Sequence, residues 1–123
     1  MRKTFFVIVG AVLLSVPIAM AQDIVKVAPK NTKVLLDNDR VRVVEVWLKA
    51  GDKIPMHSHP GQILYSFLNG KTKTSFPDGK SAETEFKAGE ARWSDAVVHA
   101  NEATTDGHVL VIELKEPVKT EKK

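Results

Sequence analysis

From Val34 to Lys115 the chain alternates short runs of β-branched and apolar residues with turn formers, a texture that predicts strands. RVRVVEVWLKAG, from Arg40 to Gly51, reads as a long Val-rich strand, and ILYSFLNG, from Ile63 to Gly70, as another. KTKTSF follows so closely that these two predict a hairpin. PDGK, residues 77–80, is a turn centred on Asp-Gly. SAETEF then returns as a strand of polar alternation, and KAGE, residues 87–90, turns the chain again. HVLVIELK, from His108 to Lys115, is the last strong strand, and Pro117 ends it. No stretch beyond residue 21 has the 3.6-residue period of an amphipathic helix, so the predicted class is all-β.

Residues 1–21 carry a different pattern. Arg2 and Lys3 precede an almost wholly apolar run from Phe5 to Val16, and Ala19-Met20-Ala21 has the small-x-small form that a signal peptidase recognises. A spanning helix needs about 20 apolar residues, and Ser15 and Pro17 interrupt this run. The expectation is a Sec-type signal peptide cleaved after Ala21, export to the periplasm or medium, and no membrane partner after cleavage; an uncleaved anchor is the alternative. The mature chain, 22–123, is then a single domain with a core at about 34–115.

Trimming changes the charge. The full chain has 18 Lys and Arg against 15 Asp and Glu, and loss of Arg2 and Lys3 leaves 16 against 15. A near-neutral chain with scattered lysines offers no basic face for nucleic acid. There is no cysteine, so packing alone must hold an exported domain of this size. A metal here would have to use nitrogen and oxygen ligands.

The four histidines, His57, His59, His99 and His108, all lie beyond the leader. On a strand, residues two apart share a face about 6.5 to 7 Å apart, so His57 and His59 can aim at one point. A third nitrogen from a neighbouring strand would complete three legs of a site for a divalent ion. An HxH pair alone is a weak signal, and two exposed histidines on an edge strand are the plainer explanation. The surrounding glycines strengthen the case: Gly51, His57, His59, a Pro60-Gly61 turn, a hydrophobic strand and Gly70 form a spaced framework.

In that framework the chain resembles the cupins, whose first motif is glycine, five residues, His-x-His, three or four residues, glutamate, six residues, glycine. Gly51, His57, His59 and Gly70 stand in that register, and GEARWSDAVVHANE, residues 89–102, looks like a degraded second motif with His99 in the histidine place. HSHP, Trp93 to Ala96 and HVLVIELK are similar to stretches of small single-domain cupins. The resemblance implies a double-stranded β-helix, a small jelly-roll-like barrel of two packed sheets. It also implies a metal site at His57, His59 and His99.

Two departures bear on function. The register puts Ile63 in the glutamate place, with Gln62 beside it as a candidate oxygen ligand, and Ser94, Ala96 and Ala103 replace the usual residues of the second motif. If Ile63 faces inward, alternation carries Tyr65 and Phe67 inward too, as walls of a pocket above the metal. Trp47 and Trp93 are expected to fill the core, Arg42, Glu45 and Arg92 to pair across strands, and His108 to stay out of the ligand set. No catalytic group is nominated: there is no cysteine, no nucleophile elbow and no phosphate-binding glycine loop.

The leading expectation is therefore a metal-dependent small-molecule enzyme of dioxygenase or related oxidoreductase type. The alternatives are a non-catalytic binder of a small ligand or metal, and a barrel whose histidines bind nothing. The metal is a divalent transition ion, Zn, Cu, Fe, Mn or Ni; outside the cytoplasm a nitrogen-rich site favours Cu and Zn by intrinsic affinity. Open sheet edges make a homodimer the expected assembly.

Overall fold

A computed structural model describes residues 22–116. The expected signal peptide lies outside the described residues. The chain forms β1 (Gln22–Asp23), α1 (Ile24–Val27), β2 (Thr32–Asp37), β3 (Val41–Leu48), β4 (Lys53–His59), β5 (Gln62–Ser66), β6 (Gly70–Ser75), β7 (Ser81–Phe86), β8 (Ala91–Ser94), β9 (Val97–Ala103) and β10 (Gly107–Leu114). They build two five-stranded sheets, ordered β1-β4-β9-β6-β7 and β2-β3-β10-β5-β8. All pairings are antiparallel except that of β1 with β4.

The all-β expectation holds, with one turn of helix, α1, added. Asp23 caps that turn by accepting from the Val25 N–H at 2.8 Å, and Ile24 and Ala28 join the core with Val44, Val46, Ile54 and Val111. The expected turns are present: Gly51, Gly79 and Gly89 take φ of 91°, 85° and 81°, a region where only glycine sits without strain. The expected hairpin between ILYSFLNG and KTKTSF does not form. β5 ends at Ser66 in one sheet and β6 begins at Gly70 in the other, so residues 67–69 cross between layers, and β6 pairs with β7 through the PDGK turn.

Register decides what the interior contains. β10 lies between β3 and β5, so Val111 stands opposite Val44 and Leu64, and Val109 opposite Val46 and Ser66. One step further along, the same inward rows place Glu113 between Arg42 and Gln62. One layer is thus apolar through its middle and polar at one end. The histidines of the facing sheet meet that polar end.

Candidate metal centre

β4 and β9 pair with His57 directly opposite His99. The pairing slips between Ile54 and His57, a bulge that accommodates Pro55, which has no N–H to give to the ladder. The bulge also turns the Pro55 carbonyl toward His57 Nδ1, 2.7 Å away. A carbonyl only accepts, so Nδ1 carries the proton and Nε2 presents its lone pair. His59 is fixed in the same sense: its Nδ1 lies 2.9 Å from Glu113 Oε1, which leaves Nε2 free for an ion.

The three imidazoles form a cluster, with ring centroids 4.7 to 5.4 Å apart. One ligand atom from each of His57, His59 and His99 lies within 4.8 Å of the others. Nitrogens about 2.1 Å from one tetrahedral ion stand about 3.4 Å apart, so ion binding would draw the three rings closer together. His57 is 0% and Gln62 1% exposed, and His57 Nε2 and Gln62 Oε1 are buried acceptors without a hydrogen-bond partner. Leaving such atoms unpaired costs about 1–3 kcal/mol each. A cation among them removes that cost, so the residues present fit a divalent ion.

Electrostatics agree with this. Burial, reinforced by the neighbouring His57 and His59, pushes His99 down to about 3. Burial likewise lowers His57, although the Pro55 carbonyl opposes the shift. Both rings are therefore neutral at physiological pH, the form that binds metal.

Behind His59 runs a chain of charges of which the sequence indicated only Arg42, as a residue pairing across strands. Glu113 Oε2 accepts from Arg42 Nε at 2.8 Å, and Arg42 also pairs with Asp23 through Nη1. Burial would raise the carboxyls of Glu113 and Asp23, but hydrogen bonds and charge from their partners outweigh it and hold both below the ordinary value. The same two acids raise the Arg42 guanidinium against the lowering effect of its burial. The signal for Glu113 was its phase. It shares the inward alternation of Val109 and Val111, and an acid in an apolar row requires a partner.

A cavity of about 90 Å3 opens over the histidines, room for several waters or a small ligand. Its walls include His57, His59, Gln62 and His99 at one end and Val46, Leu48, Ile54, Leu64, Phe86 and Val109 along its length. Ile63, Tyr65 and Phe67, expected as pocket walls, do not line it; Gln62, Leu64, Ser66 and Leu68 do. The strand leaves the Pro60-Gly61 turn one residue out of phase with the expected register, which exchanges its two faces.

The large aromatics are displaced from the core as well. Trp47 and Phe67 are each 40% and Trp93 55% exposed. Trp47 and Phe67 flank His108 on the outer face, where His108 Nε2 meets Glu45 Oε1 at 2.7 Å. His108 therefore lies apart from the cluster of His57, His59 and His99. Arg42 and Glu45 pair across strands, while Arg92 sits over the Phe86 ring and donates to the Glu85 carbonyl.

No family model matches the chain, and no curated protein does. Solved structures do match. A cupin domain from Bordetella pertussis Tohama I is 24% identical with a TM-score of 0.63, covering 69% of this chain and 92% of that one. The fold is that of the cupins. A cupin superfamily protein from Desulfitobacterium hafniense DCB-2 is 16% identical (TM-score 0.54; 69% of this chain, 76% of that one). An RmlC-like cupin protein from Desulfovibrio desulfuricans is 19% identical (TM-score 0.53; 75% and 89%). Within the cupin fold, the cluster of His57, His59 and His99 is compatible with a metal site.

Proposed function

We propose that this is an exported metal-dependent protein acting on a small molecule, with dioxygenase or related oxidoreductase chemistry as its reaction type. His57, His59 and His99 hold a divalent transition ion through nitrogen, and Gln62 Oε1 stands as the oxygen ligand. The observation that carries the reading is the pair of buried, unpartnered acceptors, His57 Nε2 and Gln62 Oε1, in a cavity shared with His99. When bound, such an ion acts as a Lewis acid and orients a substrate oxygen. The chain's own residues set donor tautomers through Pro55 and Glu113 and exclude bulk water with apolar walls.

The test is metal content. The mature protein, refolded without metal and incubated with each ion in turn, should retain about one equivalent of Zn or Cu by elemental analysis. Retention below about a tenth of an equivalent of every ion would sink the reading. His57→Ala and His99→Ala should each abolish retention while His108→Ala leaves it intact.

A second reading, a non-catalytic binder, is favoured by the neutral donor set: three imidazoles and an amide, with the nearby carboxylate of Glu113 engaged by His59 and Arg42. Oxygen consumption or turnover in a substrate screen separates the two. We further propose a homodimer paired along β2, an edge strand whose Val34, Leu35 and Leu36 are exposed. Sedimentation of the wild type and of Leu36→Lys tests it; a wild-type monomer overturns it.

A further inference from the structure

The cavity holds a third buried, unpartnered polar atom, and this one lies away from the histidines. Thr72 lies on β6, is 8% exposed, lines the cavity, and its Oγ1 has no hydrogen-bond partner. Its nearest row-mates are satisfied: Thr74 Oγ1 accepts from Asn101 Nδ2 at 3.2 Å and lies 3.3 Å from Thr84 Oγ1. Thr72 is opposite Ala103, four residues along β9 from His99, which is about 13 Å of strand. Between the two polar points the walls are mainly Leu, Ile, Val and Phe side chains. Ser66, Asn101 and Thr105 also line the cavity, but each already donates within the fold, to the Leu68 carbonyl, Thr74 Oγ1 and the Asp106 carbonyl. Lys71 and Asp106 also border the cavity, but Lys71 reaches toward Glu83 at 3.9 Å and Asp106 Oδ1 accepts from the Ala50 N–H at 2.9 Å.

The geometry points to a ligand that is small, uncharged along its length and mainly apolar, with an oxygen donor for the ion at one end and a hydroxyl or carbonyl toward the other that pairs with Thr72 Oγ1. This rests on the metal reading above and adds the substrate class to it. The apolar walls do not compensate a charged or polyhydroxylated body for lost hydration, whereas each buried methylene gains free energy. Thr72 adds selectivity, because a hydroxyl left unpaired beside an apolar tail is costlier than one that finds a donor or acceptor.

A homologous series of hydroxamates separates the two claims, since one metal-binding head carries every tail. Binding to the zinc-loaded protein is measured by calorimetry for acetohydroxamate, hexanohydroxamate, 6-hydroxyhexanohydroxamate, 8-hydroxyoctanohydroxamate and gluconohydroxamate. Each methylene should tighten binding about threefold to fourfold, so hexanohydroxamate should bind about a hundredfold tighter than acetohydroxamate, with gluconohydroxamate weakest of the longer tails. Thr72→Val should weaken whichever hydroxyl-tailed probe binds better, by about fivefold, and leave hexanohydroxamate unchanged or tighter. Less than a fivefold gain along the alkyl series, or gluconohydroxamate binding as well as hexanohydroxamate, overturns the apolar class. An unaltered hydroxyl-tail affinity in Thr72→Val overturns the Thr72 contact. A protein that takes up no zinc fails earlier, at the metal reading, and is recognised by its metal content.

Discussion

Glu113 Oε1 lies 2.9 Å from His59 Nδ1, and its other carboxylate oxygen accepts from Arg42 Nε at 2.8 Å. One buried acid therefore fixes the tautomer of a candidate ligand and is itself held by a guanidinium. Removing such an outer partner weakens metal binding about 10- to 100-fold in comparable sites. Glu113→Gln should show a loss in that range by competition with a chelating dye. It should also destabilise the metal-free protein, because Arg42 loses one of its two counter-charges. An affinity equal to wild type would show that Glu113 serves folding alone.

Gln62 supplies a prediction of opposite sign. A carboxylate about 4 Å from a unit charge gains about 4 kcal/mol at an effective dielectric of 20, part of which desolvation removes. Gln62→Glu should tighten divalent metal binding by at least about tenfold. The same variant should lower the Tm of the metal-free protein, since it buries a charge opposite Glu113 on the neighbouring strand. Gln62→Leu should weaken binding and leave the metal-free Tm unchanged or raised, because it removes an unpartnered buried amide oxygen.

The buried groups also set a pH dependence. Burial pushes His99 down to about 3 in the folded protein from the ordinary 6.5 of an exposed ring, so below pH 6.5 the unfolded chain takes up a proton that the folded chain refuses. By linkage, stability falls as pH drops from 6.5 toward 3. His57, also lowered, acts in the same direction. Glu113 and Asp23, held below their ordinary values, extend the loss below pH 4.5. The metal-free Tm should decline steadily from pH 7 to pH 4, and His99→Leu should flatten the upper part of that profile. A Tm independent of pH across that range would contradict the burial of these rings.

At the Pro60-Gly61 turn the constraint is steric. A Cβ at Gly61 would stand 2.9 Å from Trp93 Cη2, so Gly61→Ala must displace the indole, whose Nε1 donates to Asp95 Oδ1 at 2.8 Å. The expected cost is about 1 kcal/mol, in the range for overpacking. It should largely disappear in a Trp93→Ala background, which a double-mutant cycle by urea unfolding would measure. Additive effects would mean that the two positions do not contact.

Much of this was legible locally. Turn glycines, β-branched runs and the absence of helical period identify an all-β chain, because these signals depend on residues a few positions apart. The identity and spacing of His57 and His59 likewise predict ligands on one face. His99 came from motif resemblance, and the strand pairing that sets it opposite His57 confirms the proximity.

Tertiary structure decided the rest, for reasons of phase and pairing. Alternation along ILYSF states that one of two faces is buried but not which, and a single residue at the Pro60-Gly61 turn put Gln62, Leu64 and Ser66 inward in place of Ile63 and Tyr65. The crossing from β5 to the other sheet, where a hairpin was expected, depends on which strands pair across long stretches of chain. Glu113 lies 54 residues beyond His59 and Thr72 gains meaning only from the cavity it borders. The sequence by itself determined the strand content and four candidate ligands, His57, His59, His99 and Gln62; folding alone chose the register that turns Gln62 inward and sets Glu113 and an apolar wall around the histidines, because register is a property of paired strands and not of either strand alone.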